Sequence, residues 1–117
     1  LSLTGPDALP GGPDRTRPGA PAVDAPLENG WLLDRLGGGF QLLTIDAEAP
    51  DHKQSDGIAV TRVALSAKGH PDLAARYLGA ASAAVYLLRP DQHIVARWAQ
   101  FDAAALQAAL RIATARQ

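Results

Sequence analysis

The residues most able to do chemistry in this chain are three histidines and a run of three glycines. His52, His70 and His93 match neither a helical nor a ribbon-type ligand spacing, and each stands next to a turn residue. Because zinc needs several ligands converging from separate loops, the histidines are interpreted as surface residues. Gly37-Gly38-Gly39 precedes a predicted strand, whereas a phosphate loop puts its glycines between a strand and a helix. It is interpreted as a connection into that strand.

The remaining nucleophile and carboxylate candidates form no catalytic set. Cys is absent, which excludes disulfides, thiolate metal ligands and thiol nucleophiles. Ser66 and Ser82 lack the Gly-x-Ser-x-Gly context of an activated serine. Residues 46–57 are acidic but lack the oxygen-ligand pattern of a calcium loop, so a solvated loop with at most one helical turn is predicted. We therefore expect no catalytic, cofactor-binding or metal-binding residue in this chain.

Composition excludes several classes of function. The 117 residues carry 11 Lys and Arg against 12 Asp and Glu, a net charge of −1, so no basic field favours nucleic acid as a partner. No apolar run approaches the about 20 residues that cross a bilayer, which excludes a membrane span. The chain begins at Leu1 and contains no Met, so we expect it to be a piece of a larger protein. A cytoplasmic location is expected.

Proline divides the chain into two parts. Six of the nine prolines lie within residues 1–27, together with four glycines. Proline fixes φ and removes a backbone donor, so this part is excluded from helices and central strands. It is predicted to be a linker or strap that lies over another surface, with Ala20, Val23 and Leu27 packing its last third down. Residues 28–117 are predicted to form one compact domain.

An α/β pattern begins in the second part. A short apolar turn or helix at Trp31–Arg35 ends at the glycines. The strand that follows, Phe40–Ile45, is apolar on both faces and therefore central. A second strand is predicted at Ile58–Leu65. Pro71 and Asp72 then begin a helix that stops at Gly79.

The last third of the chain predicts a hairpin and a terminal helix. The strands are Ala83–Leu88 and His93–Trp98, the second more polar and nearer the sheet edge. Arg89-Pro90-Asp91-Gln92 is their turn, with Pro at its favoured second position. Asp102 caps an amphipathic final helix. A parallel pair, a helix and an antiparallel hairpin backed by a helix predict an α/β, thioredoxin-like sandwich with a mixed sheet.

The core is predicted from the apolar positions of these elements. Its centre is assigned to seven residues: Leu42, Leu43, Val63, Val85, Leu87, Leu106 and Leu110. The aromatic residues stand in apolar contexts and are interpreted as core rather than as a stacking platform for a ligand: Trp31, Phe40, Tyr77, Tyr86, Trp98 and Phe101.

Three segments of the chain resemble one protein family. Arg17-Pro18-Gly19-Ala20, followed by Asp24-Ala25-Pro26-Leu27, is similar to the opening motif of the C-terminal domain of FAD-dependent aromatic-ring monooxygenases. The segment from Trp31 to Leu43 is similar to that domain's leucine-aspartate, glycine and phenylalanine-x-leucine-leucine segment. The hairpin from Tyr86 to Trp98, with Arg-Pro-Asp at its turn, is the most specific of the three. The resemblance runs from about Thr16 to the C-terminus.

The resemblance implies a role inside a larger flavoenzyme. The family includes phenol hydroxylase, 3-(3-hydroxyphenyl)propionate hydroxylase and aromatic polyketide hydroxylases, in which preceding domains hold the aromatic substrate and FAD, with NAD(P)H as reductant. This chain would then be the thioredoxin-like C-terminal domain of such an oxidoreductase, a non-catalytic accessory domain for assembly or stability. The implied partners are the preceding domains, and a homodimer contact is left open.

The chain also departs from the related patterns. Pro21 and Val23 stand where the family's opening motif has arginine and proline, and the stretch between the first two strands is too short for a full crossover helix. No Pro precedes the Ala83–Leu88 strand at the place of the cis-Pro of true thioredoxins, and thiol chemistry is excluded. Two other functions stay open: a free-standing thioredoxin-like module that binds protein without redox activity, and a small enzyme with an unrecognised site.

Overall fold

A mixed sheet with helices on both faces forms the fold, which a computed structural model describes over residues 7–28, 30–55 and 57–114. A 3-10 turn at Asp14–Thr16 follows the first strand. In chain order, the strands and helices are β1 Asp7–Ala8, β2 Pro26–Leu27, β3 Gly30–Trp31, α1 Leu32–Arg35, β4 Phe40–Ile45, β5 His52–Ser55, β6 Ile58–Leu65, α2 Pro71–Tyr77, β7 Ala84–Leu88, β8 Ile94–Trp98 and α3 Ala103–Ala113.

The main sheet has six strands in the order β1-β8-β7-β4-β6-β5. β4 and β6 run parallel, with Leu43 opposite Val63, and β7 lies antiparallel on the other side of β4. β7 and β8 form the predicted antiparallel hairpin. The predicted α/β class, the mixed sheet, the central position of β4 and the terminal helix are confirmed.

Residues 46–57 differ from the predicted solvated loop because they contain a strand. β5 pairs antiparallel with the start of β6, from His52 opposite Thr61 to Ser55 opposite Ile58. An outer strand is held by backbone hydrogen bonds to a single neighbour, so it needs no apolar alternation that a sequence pattern would reveal. The loop prediction is therefore wrong over His52–Ser55.

The core consists of two apolar clusters, one on each face of the main sheet. All seven residues predicted as its centre are buried. Leu43 and Val63 lie on what we call the first face, with α1, α2 and residues of the proline-rich segment. Leu42, Leu87 and Leu110 lie on the second face, which α3 covers. The Asp102 carboxylate caps α3 as predicted, accepting hydrogen bonds from the next turn's amides at 2.9 and 3.2 Å.

The aromatic residues follow the prediction with one exception. Tyr77 and Tyr86 are fully buried, and their rings meet edge to face with centroids 5.1 Å apart. Trp98 is buried against the second face. Trp31 is 51% exposed, so its interpretation as core is wrong. It belongs to the separate two-stranded sheet of β2 and β3, which does not join the main sheet.

The described part of the proline-rich segment lies on this domain's own sheet and helices. β1 is a two-residue edge strand that runs parallel to β8. Leu9, Thr16 and Ala25 are buried. The residues predicted to pack the last third down, Ala20, Val23 and Leu27, are half-buried, and Leu27 packs against the first-face cluster. Because β1 covers its outer side, β8 is the second strand from the edge.

Helix α2 ends at a glycine that the proline-rich segment requires. Gly79 has φ +58°, a left-handed conformation that glycine adopts without steric cost. A Cβ atom there would lie 2.6 Å from the Gly11 carbonyl oxygen. The Ala80 amide donates to that same oxygen at 3.1 Å. Any side chain at Gly79 would therefore push the segment away from α2.

Candidate functional site

A network of polar side chains joins the proline-rich segment to the sheet and to α2. We call it the latch and define it by five residues: Asp7, Thr16, Tyr77, Tyr86 and Arg97. Two of them come from the segment, one from α2 and two from the hairpin strands. The sequence analysis assigned the two tyrosines to the core without foreseeing these contacts.

Arg97 is the centre of the latch. Its side chain is 3% exposed, and its Nε and Nη2 donate to the two carboxylate oxygens of Asp7 at 2.6 and 3.0 Å. Its Nη1 donates to the Pro13 carbonyl at 2.7 Å and to Thr16 Oγ1 at 3.4 Å. A guanidinium presents its donors in a fixed fork that matches a carboxylate, so this contact fixes position as well as charge. These hydrogen bonds lower the pKa of Asp7 and raise that of Arg97.

The two tyrosine hydroxyls extend the latch along the segment. Tyr77 Oη donates to the Val23 carbonyl at 2.6 Å and accepts from the Val23 amide at 2.8 Å. Tyr86 Oη donates to the Tyr77 carbonyl and lies 3.1 Å from Thr16 Oγ1. Burial raises the pKa of both phenols, so both stay protonated and able to donate at neutral pH.

Helix α2 makes two further contacts with the segment through Arg76. The backbone carbonyl of Arg76 accepts a hydrogen bond from Thr16 Oγ1 at 2.8 Å. The Arg76 side chain donates from Nη1 to the Asp24 carbonyl at 2.7 Å. Gly12 lies so close to the Arg97 guanidinium that a Cβ atom would stand 2.8 Å from Cζ. The segment therefore needs glycine at this point in order to reach the buried arginine.

The hairpin turn, which carries the most specific part of the resemblance, is held by its own side chains. Arg89 donates from Nε and Nη2 to both carboxylate oxygens of Asp91, which also accepts from the His93 amide at 3.2 Å. The hydrogen bonds from Arg89 are the main cause that lowers the pKa of Asp91 to about 2. Gln92 has φ +64°, and its amide donates to the Arg89 carbonyl at 2.8 Å. The predicted turn is confirmed.

The three histidines do not come together. His70 precedes α2, where its Nδ1 donates to the Ser66 carbonyl at 2.8 Å. His93 follows the hairpin turn with its Nδ1 3.4 Å from Asp91 Oδ1, and His52 belongs to the edge strand β5. Over the described ranges, no three histidines or carboxylates are grouped to hold a metal ion.

The glycine run and the serines stand where the sequence analysis placed them. Gly37-Gly38-Gly39 leads into β4, and the Gly37 amide donates to Gln41 Oε1 at 2.6 Å. The Ser66 hydroxyl accepts from the Lys68 amide at 3.2 Å, and Ser82 is exposed just before β7. Hydrogen bonds from the Ala67 amide and the Ser66 hydroxyl lower the pKa of Asp46, so this carboxylate is held ionised beside Ser66.

Arg62 organises the connection that stands in place of a crossover helix between β4 and β6. Its Nε donates to Thr44 Oγ1 at 2.9 Å. Its two terminal nitrogens donate to the carbonyls of Ala47 and Ala49 at 2.9 and 2.8 Å, and Nη1 lies 3.2 Å from Asp51. One guanidinium thus satisfies the backbone of a stretch that is too short to form a helix.

Comparison with known proteins adds no relative. No protein-family model, no curated protein and no solved structure matches this chain. Among the residues that the structure describes, no helix is both long enough and apolar enough to cross a bilayer. The arguments on function therefore depend on the residues themselves and on the contacts they make.

Proposed function

We propose that this chain is a non-catalytic, thioredoxin-like C-terminal accessory domain of an FAD-dependent aromatic hydroxylase, where it supports assembly or stability. The observation that carries the proposal is the use of the motif residues of the hairpin. Arg89 and Asp91 bind each other across the turn, and Arg97 points inward to hold the proline-rich segment. The residues that make the hairpin resemblance specific thus form contacts within this domain. Binding of FAD and NAD(P)H is then assigned to the preceding domains.

The strand order supports the thioredoxin-like part of the proposal. The four strands β8-β7-β4-β6 combine a parallel pair with an antiparallel hairpin. Helices α2 and α3 pack on opposite faces of these strands. The connection held by Arg62 replaces the helix that a full sandwich of this type has between its parallel strands.

The proline-rich segment supports a mechanical role. Its prolines have a fixed φ, so less conformational entropy is lost when the segment lies along a surface. Its inner side is fixed to the domain through the latch, whereas Arg15 and Arg17 are exposed on its outer side. A segment held in this way is suited to transmit a fixed orientation to a preceding domain, which a flexible Gly/Ser spacer would not do.

Truncation of the whole hydroxylase tests the proposal. We expect removal of this domain to leave flavin bound and ring hydroxylation measurable, while thermal stability falls or the oligomeric state changes. Flavin absorbance, turnover and light scattering of the intact and truncated proteins measure these effects. Loss of hydroxylation in a truncated protein that keeps its flavin and its oligomeric state would contradict the proposal.

The isolated chain provides a second test. Mixed with FAD and passed through gel filtration, it is expected to emerge without stoichiometric flavin.

The exposed Trp31 favours the alternative, a free-standing protein-binding module, because tryptophan is enriched at the centres of binding interfaces. In that case the chain would be found as a separate gene product, and truncation would not apply. Retained flavin would contradict both functions.

A further inference from the structure

A cavity that none of the latch residues lines contains positively charged side chains with no ion-pair partner among the described residues. A cavity of about 280 Å³ opens beyond the carboxyl end of β6, between α1 and the residue that precedes α2. Its polar lining consists of Glu28, Arg35, Ser66, Lys68 and His70. In α/β sheets, the carboxyl ends of parallel strands are where ligands commonly bind.

Two of the lining cations have no partner among the residues that the structure describes. Most arginines of the chain are engaged, as Arg62 and Arg97 illustrate with their carbonyl and carboxylate acceptors. Arg35 and Lys68 are exposed, and the described residues give their side chains neither a hydrogen bond nor an ion pair. Among the described residues, Glu28 is the one carboxylate of the lining against these two cations, so they give the cavity an excess of positive charge.

His70 adds a nitrogen whose orientation is fixed. Its Nδ1 donates to the Ser66 carbonyl at 2.8 Å, which directs Nε2 away from the backbone. Nε2 lies 3.8 Å from Glu28 Oε1, and the His70 side chain is only 11% exposed. The Glu28 side chain is 81% exposed and can swing out at little cost. A carboxylate of the protein itself thus already lies beside the nitrogen that an external oxyanion would contact.

We propose that this cavity binds hydrogen phosphate, a small dianion that keeps one P–OH group: Arg35 and Lys68 contact its charged oxygens, its P–OH donates to His70 Nε2, and the Glu28 carboxylate is displaced to solvent. Charge supports a dianion, since two cations that are unpaired among the described residues line the same cavity. Size supports a small one, because pockets for drug-sized ligands begin at about 300 Å³. The site therefore suits inorganic phosphate or the phosphate group of a small monoester, and not a dinucleotide.

Titration of the 117-residue chain with inorganic phosphate tests the site. At constant ionic strength, we expect saturable shifts of the backbone amide NMR signals of Ser66, Lys68 and His70. Lys68→Ala and Arg35→Ala should each weaken binding about two- to fivefold, the size of an exposed charge contact, and the double variant about tenfold. Glu28→Gln should tighten binding, because the competing carboxylate is gone.

Matched controls separate a built site from general charge attraction. Arg15 is an exposed arginine outside the cavity, so Arg15→Ala should bind phosphate like the unaltered chain. Shifts that never saturate, or equal weakening in Arg15→Ala, would overturn the proposal. Tightening on Glu28→Gln with no loss in Lys68→Ala would overturn it as well. A parallel titration with glycerol 3-phosphate identifies the source: tighter binding indicates a monoester, and equal or weaker binding indicates inorganic phosphate.

Discussion

Both faces of the sheet bury apolar residues, but their outer layers are fastened by different physical means. On the second face, one amphipathic helix, α3, lays Leu106 and Leu110 on an apolar surface. On the first face, the irregular proline-rich segment is fastened by the latch, whose buried groups are an arginine, a threonine and two tyrosines. Apolar burial is strong but not directional, whereas hydrogen bonds contribute less and fix position.

The difference indicates separate tasks for the apolar packing and for the latch. Truncation of a buried leucine costs about 2–5 kcal/mol, while a typical hydrogen bond contributes about 0.5–1.5 kcal/mol. We therefore expect the apolar clusters on both faces to set the overall free energy of unfolding. The latch is expected to set where residues 7–27 lie, with a smaller share of that free energy.

The largest expected effect is on the second face. Leu87 is fully buried in β7 under α3, so Leu87→Ala should lower the free energy of unfolding by about 2–5 kcal/mol. Chemical denaturation followed by far-UV circular dichroism measures it. Ile112→Ala, at a position of α3 that is 37% exposed, serves as the control and should cost far less. An unchanged midpoint for Leu87→Ala would mean that this face is not closed by apolar packing.

A smaller loss is expected in the latch. Tyr86→Phe removes only the hydroxyl and leaves the buried Tyr77 carbonyl without its donor. The expected cost is about 1–3 kcal/mol, the penalty of an unsatisfied buried polar group. The same denaturation experiment measures it. A cost equal to or above that of Leu87→Ala would remove the proposed difference between the faces.

Loss of thermal stability in acid should come from carboxylates that accept hydrogen bonds from arginines. The folded-state pKa values of Asp7 and Asp91 are lowered by hydrogen bonds from Arg97 and Arg89, that of Asp91 to about 2. Such groups stabilise the fold above their unfolded pKa of about 4, and this contribution is lost as the pH falls through the folded value. Melting temperature should therefore fall between about pH 4 and pH 2, less steeply in Asp91→Asn. An identical acid limb in that variant would exclude the turn pair as a cause.

The smallest effect is expected at the exposed tryptophan. Trp31→Ala should change the free energy of unfolding by less than about 0.5 kcal/mol, as is usual for exposed positions. Trp98→Ala, at a buried position of β8, is the matched comparison and should cost about 3–5 kcal/mol. Thermal unfolding of both variants distinguishes them. Similar losses would show that Trp31 is packed in solution.

The apolar packing of the sheet could be predicted from the sequence, whereas the latch could not. Asp102 as N-cap and leucines at helical spacing are local signals, and the chain carries them within one element. The latch joins Arg97 to Asp7 and Tyr77 to Val23, which are 90 and 54 positions apart. No periodicity links such residues, so the tyrosines could only be assigned to the core.

The cavity proposed to bind phosphate escaped prediction for a related reason. His70 was interpreted as a surface residue because it matches no ligand spacing and stands next to Pro71, but its side chain is only 11% exposed. Arg35 lies on another element. Only the end of β6, where the chain turns back into α2, brings Arg35 and His70 to one cavity. Strand β5 was missed for the same reason, because it is defined by its backbone pairing with β6 and not by a local sequence pattern.

Hydrogen exchange of the backbone amides in the proline-rich segment tests most directly whether the latch holds this segment on the sheet. The amides of Gly19, Ala22 and Val23 donate to Ile94, Gln92 and Tyr77, so they report whether the segment is seated. Native-state exchange is compared in the unaltered chain, in Asp7→Ala and in Asp14→Ala, an exposed carboxylate outside the latch.

We expect Asp7→Ala to accelerate exchange of these three amides while the amides of the central strand β4 keep their rates, and Asp14→Ala to change neither. Local opening of this kind exposes one segment without unfolding the core. Equal acceleration in the segment and in β4, or no acceleration at all, would contradict the claim that the latch holds residues 7–27 on the sheet.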